Sequence, residues 1–114
     1  MTLKRGDIVL VPFPFTDLSC QKVRPALVLT PDLKSTDVVI AFISSCTQQK
    51  VLSTDYILDL GHTDFPATGL KRTSVFRMNK LLTVQRGLII RRLGKVPTAI
   101  QDELDHRLRV AIGL

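Results

Sequence analysis

Side chains suited to acid–base or metal chemistry are few and scattered in this sequence. The two histidines, His62 and His106, are far apart in the chain, and each is more typical of a surface position than of a metal ligand. The two cysteines, Cys20 and Cys46, make neither a disulfide framework nor a zinc site. Neither has a neighbouring histidine or predicted helix N-terminus that would activate its thiol. We therefore expect no cofactor, no bound metal and no cysteine nucleophile.

Positive charge is concentrated in one part of the chain. The protein has 16 Lys and Arg against 10 Asp and Glu, a formal net charge of +6. No acidic residue lies between Asp64 and Asp102, and the basic residues there are Lys71, Arg72, Arg77, Lys80, Arg86, Arg91, Arg92 and Lys95. Such a segment attracts polyanions, most often through phosphate contacts. A solvated basic face or a site for an acidic protein explains the charge almost as well, so charge alone favours nucleic acid only slightly.

Short apolar runs predict the strands that would position these charges. The runs are Ile8–Val11, Pro25–Thr30, Val38–Ile43, Tyr56–Leu60, Thr73–Met78 and Leu88–Arg91, with Leu81–Val84 as a further short strand. Pro12 follows the first run, and because proline donates no ladder hydrogen bond, that strand should leave the sheet or lie at an edge there. The third run is unbroken, which indicates burial on both faces. Strands of this length with turns between them are typical of a compact barrel or sandwich.

The C-terminal segment predicts one amphipathic helix. An apolar residue recurs every four positions, at Ile100, Leu104, Leu108 and Ile112. Thr98 with Gln101 fits a capping box, and Gly113 fits the helix end. The order is strands followed by one helix, so we expect a mainly β fold with a C-terminal α-helix, in a single domain spanning residues 1–114.

The sequence also indicates a compartment. Its apolar runs are far shorter than a membrane span, and the chain turns polar after Leu3, unlike a secretory signal. With only two cysteines, the composition favours a reducing environment. We expect a cytoplasmic protein that makes no membrane contact.

Four segments of the chain carry recognisable motifs: GDIVLVPFPFTD at residues 6–17, KVRPALVL at 22–29, IAFISS at 40–45 and GLKRTSV at 69–75. Together they resemble the MazF/PemK family of toxins from type II toxin–antitoxin systems, over nearly the whole chain. The resemblance implies an SH3-like small β-barrel of the MazF/CcdB type, usually a homodimer. It implies a metal-independent, sequence-specific endoribonuclease acting on single-stranded RNA. It also implies a cognate antitoxin that blocks the RNA groove with an extended, often acidic tail.

The same resemblance implies a reaction in which the ribose 2′-hydroxyl attacks its own phosphodiester, leaving a 2′,3′-cyclic phosphate and a 5′-hydroxyl. It assigns the catalytic positions to Arg24 and Ser44. We expect Arg24 to stabilise charge on two phosphate oxygens rather than move a proton, because arginine rarely gives its proton up. Ser44 stands where the family usually has threonine and keeps the hydroxyl, and Ser45 takes this position if the match shifts by one residue. The alternatives are an Arg24 that anchors its loop through Asp17, and a Ser44 that is simply a polar strand end.

Further positions are implied to bind RNA: Thr16, Asp17, Lys22, Ser45, Arg77 and Asn79. Some relatives carry Arg-x-Asp where this chain has Arg77 and Asn79, and there the pair works as acid and base. Asn79 cannot accept a proton usefully, so this chain must rely on Arg24 with Ser44 or be a weaker enzyme. An exposed basic strand residue is an equally good interpretation of Arg77.

Two other functions remain open on the same fold, because a fold does not fix an activity. One is a non-catalytic RNA-binding relative, which the change to Asn79 keeps possible. The other is a toxin that binds DNA gyrase, against which Arg24 and Ser44 argue. Cleavage of RNA in the presence of a chelator separates these from the enzyme.

Overall fold

The computed structural model describes residues 2–13, 22–31, 34–45 and 51–114. The strands in these ranges are β1 (Asp7–Phe13), β2 (Lys22–Val28), β3 (Asp37–Ser45), β4 (Asp55–Leu58), β5 (Ser74–Gln85) and β6 (Arg91–Lys95). Two 3-10 helices, Phe65–Thr68 and Arg86–Leu88, flank β5, and α1 (Thr98–Ile112) follows β6. No helix in these ranges is long and apolar enough to cross a membrane.

The strands form one antiparallel sheet in the order β4-β5-β3-β2-β1-β6. The sheet curls into a half-barrel with β4 and β6 at its two edges. This confirms the predicted mainly β fold, a small barrel with a C-terminal helix. It also confirms the effect expected at Pro12, because β1 pairs with β6 only as far as Leu10 and with β2 alone beyond it.

Alternation along the strands sends side chains to two cores on opposite faces of the sheet. One core contains Ile8, Leu27 and Phe76, and α1 covers it with Ile100 and Leu104. The other core is built from the intervening strand positions, among them Val9, Ala26, Val28, Val38 and Ile40. The central strand β3 contributes to both cores, as its unbroken apolar run predicted.

The region predicted as two strands, 73–78 and 81–84, is the single long strand β5. Its register with β3 shifts between Ala41 and Phe42, which pair with Leu81 and Arg77 respectively. Residues 78–80 therefore have no partner in β3. This irregularity exposes Asn79 and Lys80 without ending the strand, and these two polar residues are why the sequence suggested a break. The sixth strand begins at Arg91 rather than Leu88, because Arg86–Leu88 form a 3-10 turn.

The sequence predicted the C-terminal end of α1 correctly and the capping of its N-terminal end wrongly. Gly113 ends the helix in the left-handed conformation, with φ 78°, as predicted. The predicted capping box is wrong: Thr98 is already helical, and no side chain caps the helix at Pro97. Gln101 instead donates from Nε2 to Asp105 Oδ1 at 2.8 Å, within the helix.

The apolar stripe of α1 is buried along only part of its length. Ile100 and Leu104 are buried, and Leu108 packs at the edge of the same core. Ile112 is 49% exposed and Val110 is 54% exposed, so the last helical turn adds little to the core. The four-residue spacing thus predicted the helix correctly and overestimated how much of it packs.

Candidate active site

A cavity of about 410 Å³ opens where β2 and β3 separate. Its apolar lining includes Leu10, Leu70 and Leu93, and both Arg24 and Ser44 line it as well. The structure therefore brings the two predicted catalytic residues to one cavity, although 20 positions separate them in the chain.

The register of the sheet explains this meeting. In the β2–β3 ladder, Val28 pairs with Ile40 and Ala26 with Phe42. Continuing the same register for two more residues places Arg24 level with Ser44, but the pairing has ended by then. The residue after the last pair is Pro25, which has no N–H to give to a ladder. The two side chains thus stand on neighbouring strands where the sheet opens.

Four cations surround the cavity. Arg24 comes from β2, Lys71 and Arg72 from the segment before β5, and Arg91 from the start of β6, and all four are exposed. No Asp or Glu lines the cavity within the described ranges. Such a site attracts and holds an anion. The sequence did not single out Lys71, Arg72 and Arg91 as site residues, yet all three belong to its acid-free segment, which was the available signal.

Two glycines bring Lys71 and Arg72 to the cavity by letting their segment lie directly against β6. Gly69 has φ 71°, and a Cβ there would be 2.2 Å from the Leu93 carbonyl oxygen. A Cβ on Gly94 would be 2.3 Å from the Ala67 carbonyl oxygen. Neither position has room for a side chain, so the close approach depends on glycine at both.

On the side away from the cavity, Ser44 accepts a hydrogen bond from an arginine that also pairs with a buried aspartate. Arg77 donates from Nε to Ser44 Oγ at 3.0 Å and from Nη1 to Asp55 Oδ2 at 3.1 Å. The Asp55 side chain is fully buried and that of Arg77 is 13% exposed. The Leu52 N–H donates to the same Asp55 oxygen at 2.9 Å. The interpretation of Arg77 as an exposed strand cation is therefore wrong, because the β4–β5 register sets it against a buried aspartate.

The remaining predicted residues are dispersed. Ser45 lines the cavity at the end of β3. Asn79 is exposed in the irregular part of β5, and it is not among the described residues that line the cavity. Lys22 begins β2, paired with Phe13 of β1. Thr16 and Asp17 lie outside the described residues, as does the alternative contact between Arg24 and Asp17.

The chemistry available at this cavity is anion binding and hydroxyl donation. Its described polar lining consists of the four cations and the three hydroxyls of Ser44, Ser45 and Ser74. Across the described ranges, no three His, Cys, Asp or Glu side chains lie close enough together to hold a metal ion. The geometry suits a phosphate group whose negative charge rises during a reaction.

Comparison with known proteins identifies the family and the fold. Residues 4–112 match the family described as PemK-like, MazF-like toxin of type II toxin–antitoxin systems. The Mycobacterium tuberculosis toxin MazF-mt6 superposes with a TM-score of 0.74 at 22% identity, over 95% of this chain and 97% of that one. A mycobacterial endoribonuclease solved with its cognate antitoxin gives 0.73 at 20% identity, over 98% and 96%. MazF in the MazE–MazF complex from Deinococcus radiodurans gives 0.73 at 18% identity, over 100% and 99%. No curated protein sequence matches the chain.

Proposed function

The chain belongs to the PemK-like, MazF-like family of toxins from type II toxin–antitoxin systems, and on that premise we propose that it is an endoribonuclease that cleaves single-stranded RNA without a metal ion. The observation that carries the proposal is the meeting of Arg24 and Ser44 at one cavity whose described rim has cations and no carboxylate. Solved relatives with the same fold include proteins named as endoribonucleases, which supports the same class of reaction here.

The proposed reaction is an internal transesterification. The 2′-oxygen attacks the adjacent phosphorus and loses its proton, the bond from phosphorus to the 5′-oxygen breaks, and that oxygen gains a proton. The products are a 2′,3′-cyclic phosphate and a 5′-hydroxyl. The described cavity lining offers no carboxylate or imidazole for the two proton transfers, so we assign them to water. The protein's contribution is then to orient the phosphate and stabilise the pentavalent intermediate.

Arg24 is suited to the larger part of that stabilisation. Its planar guanidinium can donate to two phosphate oxygens at once, which a lysine ammonium cannot do with the same geometry. Lys71, Arg72 and Arg91 supply further positive charge around the same cavity. Together these cations can provide the charge neutralisation for which other nucleases use a divalent metal.

The size and lining of the cavity support a single-stranded substrate. Its partly apolar lining and volume of about 410 Å³ suit a ribose or a base turned out from a strand, whereas bases in a duplex are stacked and paired. The same basic rim complements an acidic peptide. We propose that a cognate antitoxin covers it. The solved relatives include an endoribonuclease in complex with its cognate antitoxin and a MazE–MazF complex, which supports an antitoxin partner here. Family membership also supports a homodimer, which sedimentation equilibrium of the purified protein tests.

The decisive experiment incubates the purified protein with a long unstructured RNA in EDTA and maps the new 5′ ends. We expect cuts at a short recurring motif, with 5′-hydroxyl ends that a polynucleotide kinase phosphorylates directly. Protein carrying Arg24→Ala, purified identically, controls for contaminating nucleases. RNA affinity should fall as salt rises, by about 0.7 log units per log unit of salt for each phosphate contacted.

Each other outcome selects a different function. RNA binding without cuts makes the protein a non-catalytic RNA-binding relative. If the protein neither binds nor cuts RNA, the remaining function is binding to a protein target such as gyrase. Cuts that EDTA abolishes contradict the metal-independent mechanism while keeping the nuclease.

A further inference from the structure

We propose that Arg77 is a positioning residue that fixes the direction of the Ser44 hydroxyl, and that buried Asp55 holds Arg77 in place for this purpose. In this arrangement the Ser44 proton points into the cavity and is donated to a phosphate oxygen. The inference rests on the proposed function and deepens it, because it assigns to Ser44 the part of a hydrogen-bond donor rather than a base.

The first step is the geometry of the guanidinium. Arg77 uses two different nitrogens, Nε toward Ser44 at 3.0 Å and Nη1 toward Asp55 at 3.1 Å. Because the guanidinium is planar and rigid, two bonds from separate nitrogens fix its orientation. Ser44 therefore meets a donor whose direction is set by Asp55.

The second step is the position of the serine proton. A hydroxyl has one proton and can accept two hydrogen bonds. The Ser44 oxygen already accepts from Arg77, so its own proton must point away from that side. No acceptor among the described residues takes this proton, and Ser44 lines the cavity. Accepting a bond from a cation also makes the hydroxyl a stronger donor and a poorer base.

The third step is the charge balance. The Arg77 charge is matched by Asp55, whose side chain is fully buried and cannot touch RNA. A neutralised pair adds little to the attraction that the rim cations exert on RNA. Arg77 should therefore influence the chemical step and leave RNA affinity unchanged, unlike the RNA-binding role that the sequence suggested for it.

The backbone that carries this carboxylate is itself held by the C-terminal helix. Asp55 begins β4, and Arg107 of α1 donates to the backbone carbonyls of Asp55 and Ser53. The aspartate that some relatives carry at the position of Asn79 is absent here, and a carboxylate meets Arg77 from the neighbouring strand instead. Because that carboxylate is buried, it can act on the reaction only through Arg77.

The test uses an oligoribonucleotide containing the mapped cut site for single-turnover rates, and its 2′-O-methyl analogue for affinity. Arg77→Lys keeps a positive charge beside Asp55 but cannot donate from two fixed nitrogens to Ser44 and Asp55 at once. It is compared with Ser44→Ala and with the double variant. Arg92→Lys is the matched control, because Arg92 also pairs with a buried aspartate, Asp7, at 3.6 Å and does not touch Ser44.

We expect Arg77→Lys to slow cleavage by about 10- to 100-fold, the range for losing a hydrogen bond to a charged group. Its affinity for the 2′-O-methyl RNA should stay within about twofold of wild type. Adding Arg77→Lys to Ser44→Ala should cause no further loss beyond about twofold, since Arg77 acts through that hydroxyl. Arg92→Lys should cleave like wild type.

Three results would overturn the proposal. They are a weakened affinity with an unchanged rate in Arg77→Lys, losses that multiply in the double variant, or full activity in Asp55→Asn with Arg77→Gln. The last pair removes both charges together and so provides a foldable test if Arg77→Lys is unstable. A wild-type protein that does not cleave RNA removes the proposed function as well, whereas wild-type cleavage with multiplied losses removes only the role of Arg77.

Discussion

Two arginines near the same serine differ in what they face. Arg77 on β5 lies behind Ser44, 13% exposed and paired with buried Asp55. Arg24 on β2 is exposed at the cavity, and no carboxylate in the described ranges pairs with it. The difference shows that an arginine in a basic protein can be an exposed cation at a cavity or one half of a buried ion pair. The partner on the neighbouring strand decides which.

The two surroundings also differ in what they do electrostatically. Charges at the exposed rim keep their hydration and act on RNA over roughly the 8–10 Å that salt permits. A buried pair loses hydration, attracts little beyond itself and tolerates the loss of one partner poorly. We therefore expect changes at the rim to alter RNA binding and catalysis, and changes in the buried pair to alter stability and the geometry at Ser44.

The largest effect is expected from a substitution that breaks the buried Arg77–Asp55 ion pair. Asp55→Ala leaves the Arg77 charge largely buried without its carboxylate and should lower the free energy of unfolding by about 3–5 kcal/mol. Urea denaturation followed by circular dichroism measures it. A loss below about 1 kcal/mol would mean that water reaches Arg77, and that the Arg77–Asp55 pair is as well hydrated as the exposed cations of the rim.

The next largest effect is a loss of cleavage rate when the exposed Arg24 is removed. Arg24→Ala should reduce the cleavage rate by about 10²–10³-fold, as for loss of one donor to a developing anion. Its stability should change by less than about 0.5 kcal/mol, because the side chain is exposed. Arg24→Lys should restore RNA affinity more than rate, since it returns the charge without the planar fork. Equal rates for wild type and Arg24→Ala would contradict the assignment.

A backbone change tests how the rim is built. Gly94→Ala forces a Cβ against the Ala67 carbonyl oxygen, so we expect a loss of about 1–3 kcal/mol in stability. RNA affinity should fall as well, because Lys71 and Arg72 move with that segment. Gly87→Ala is the matched control: nothing lies within 4 Å of the Cβ position there, and it should be nearly neutral. Similar results for both variants would show that the close approach is not needed.

The smallest effect comes from an exposed pair at the N-terminal turn. Arg5 donates to both carboxylate oxygens of Asp105 on α1. Partial burial opposes ionisation of Asp105, but the hydrogen bonds from Arg5 and Gln101 outweigh it and lower its pKa. Asp105→Asn should therefore cost about 0.2–1 kcal/mol at pH 7.

The sign of the pH dependence follows from that lowered pKa. The contribution of Asp105 is complete above its unfolded pKa of about 3.9 and is lost as the pH falls through the lower folded value. Thermal unfolding of wild type and Asp105→Asn should thus begin to converge as the pH falls below about 4. A difference that does not shrink as the pH falls further would rule out the carboxylate as its source.

Much of the architecture could be predicted because it depends on local patterns. Alternating or continuous apolar runs predicted the strands, and a four-residue repeat predicted α1. The errors occurred where another contact replaces the one that a motif suggests. Thr98 looks like a helix cap, yet the helix begins at Thr98 itself and Gln101 bonds to Asp105 one turn further on. Asn79 and Lys80 look like a strand break, yet an irregularity in the β3 pairing absorbs them.

The order of strands and helix follows from the periodicity of neighbouring residues, and the resemblance of four motifs to a known family supplied the two residues expected at the cavity. That Arg77 faces inward depends on the folded sheet. Its partners Asp55 and Ser44 are 22 and 33 residues away, on strands that flank β5 on its two sides. Which side chains share a level across a sheet depends on the register of strands that are far apart in the chain, and the packing of the whole barrel sets that register.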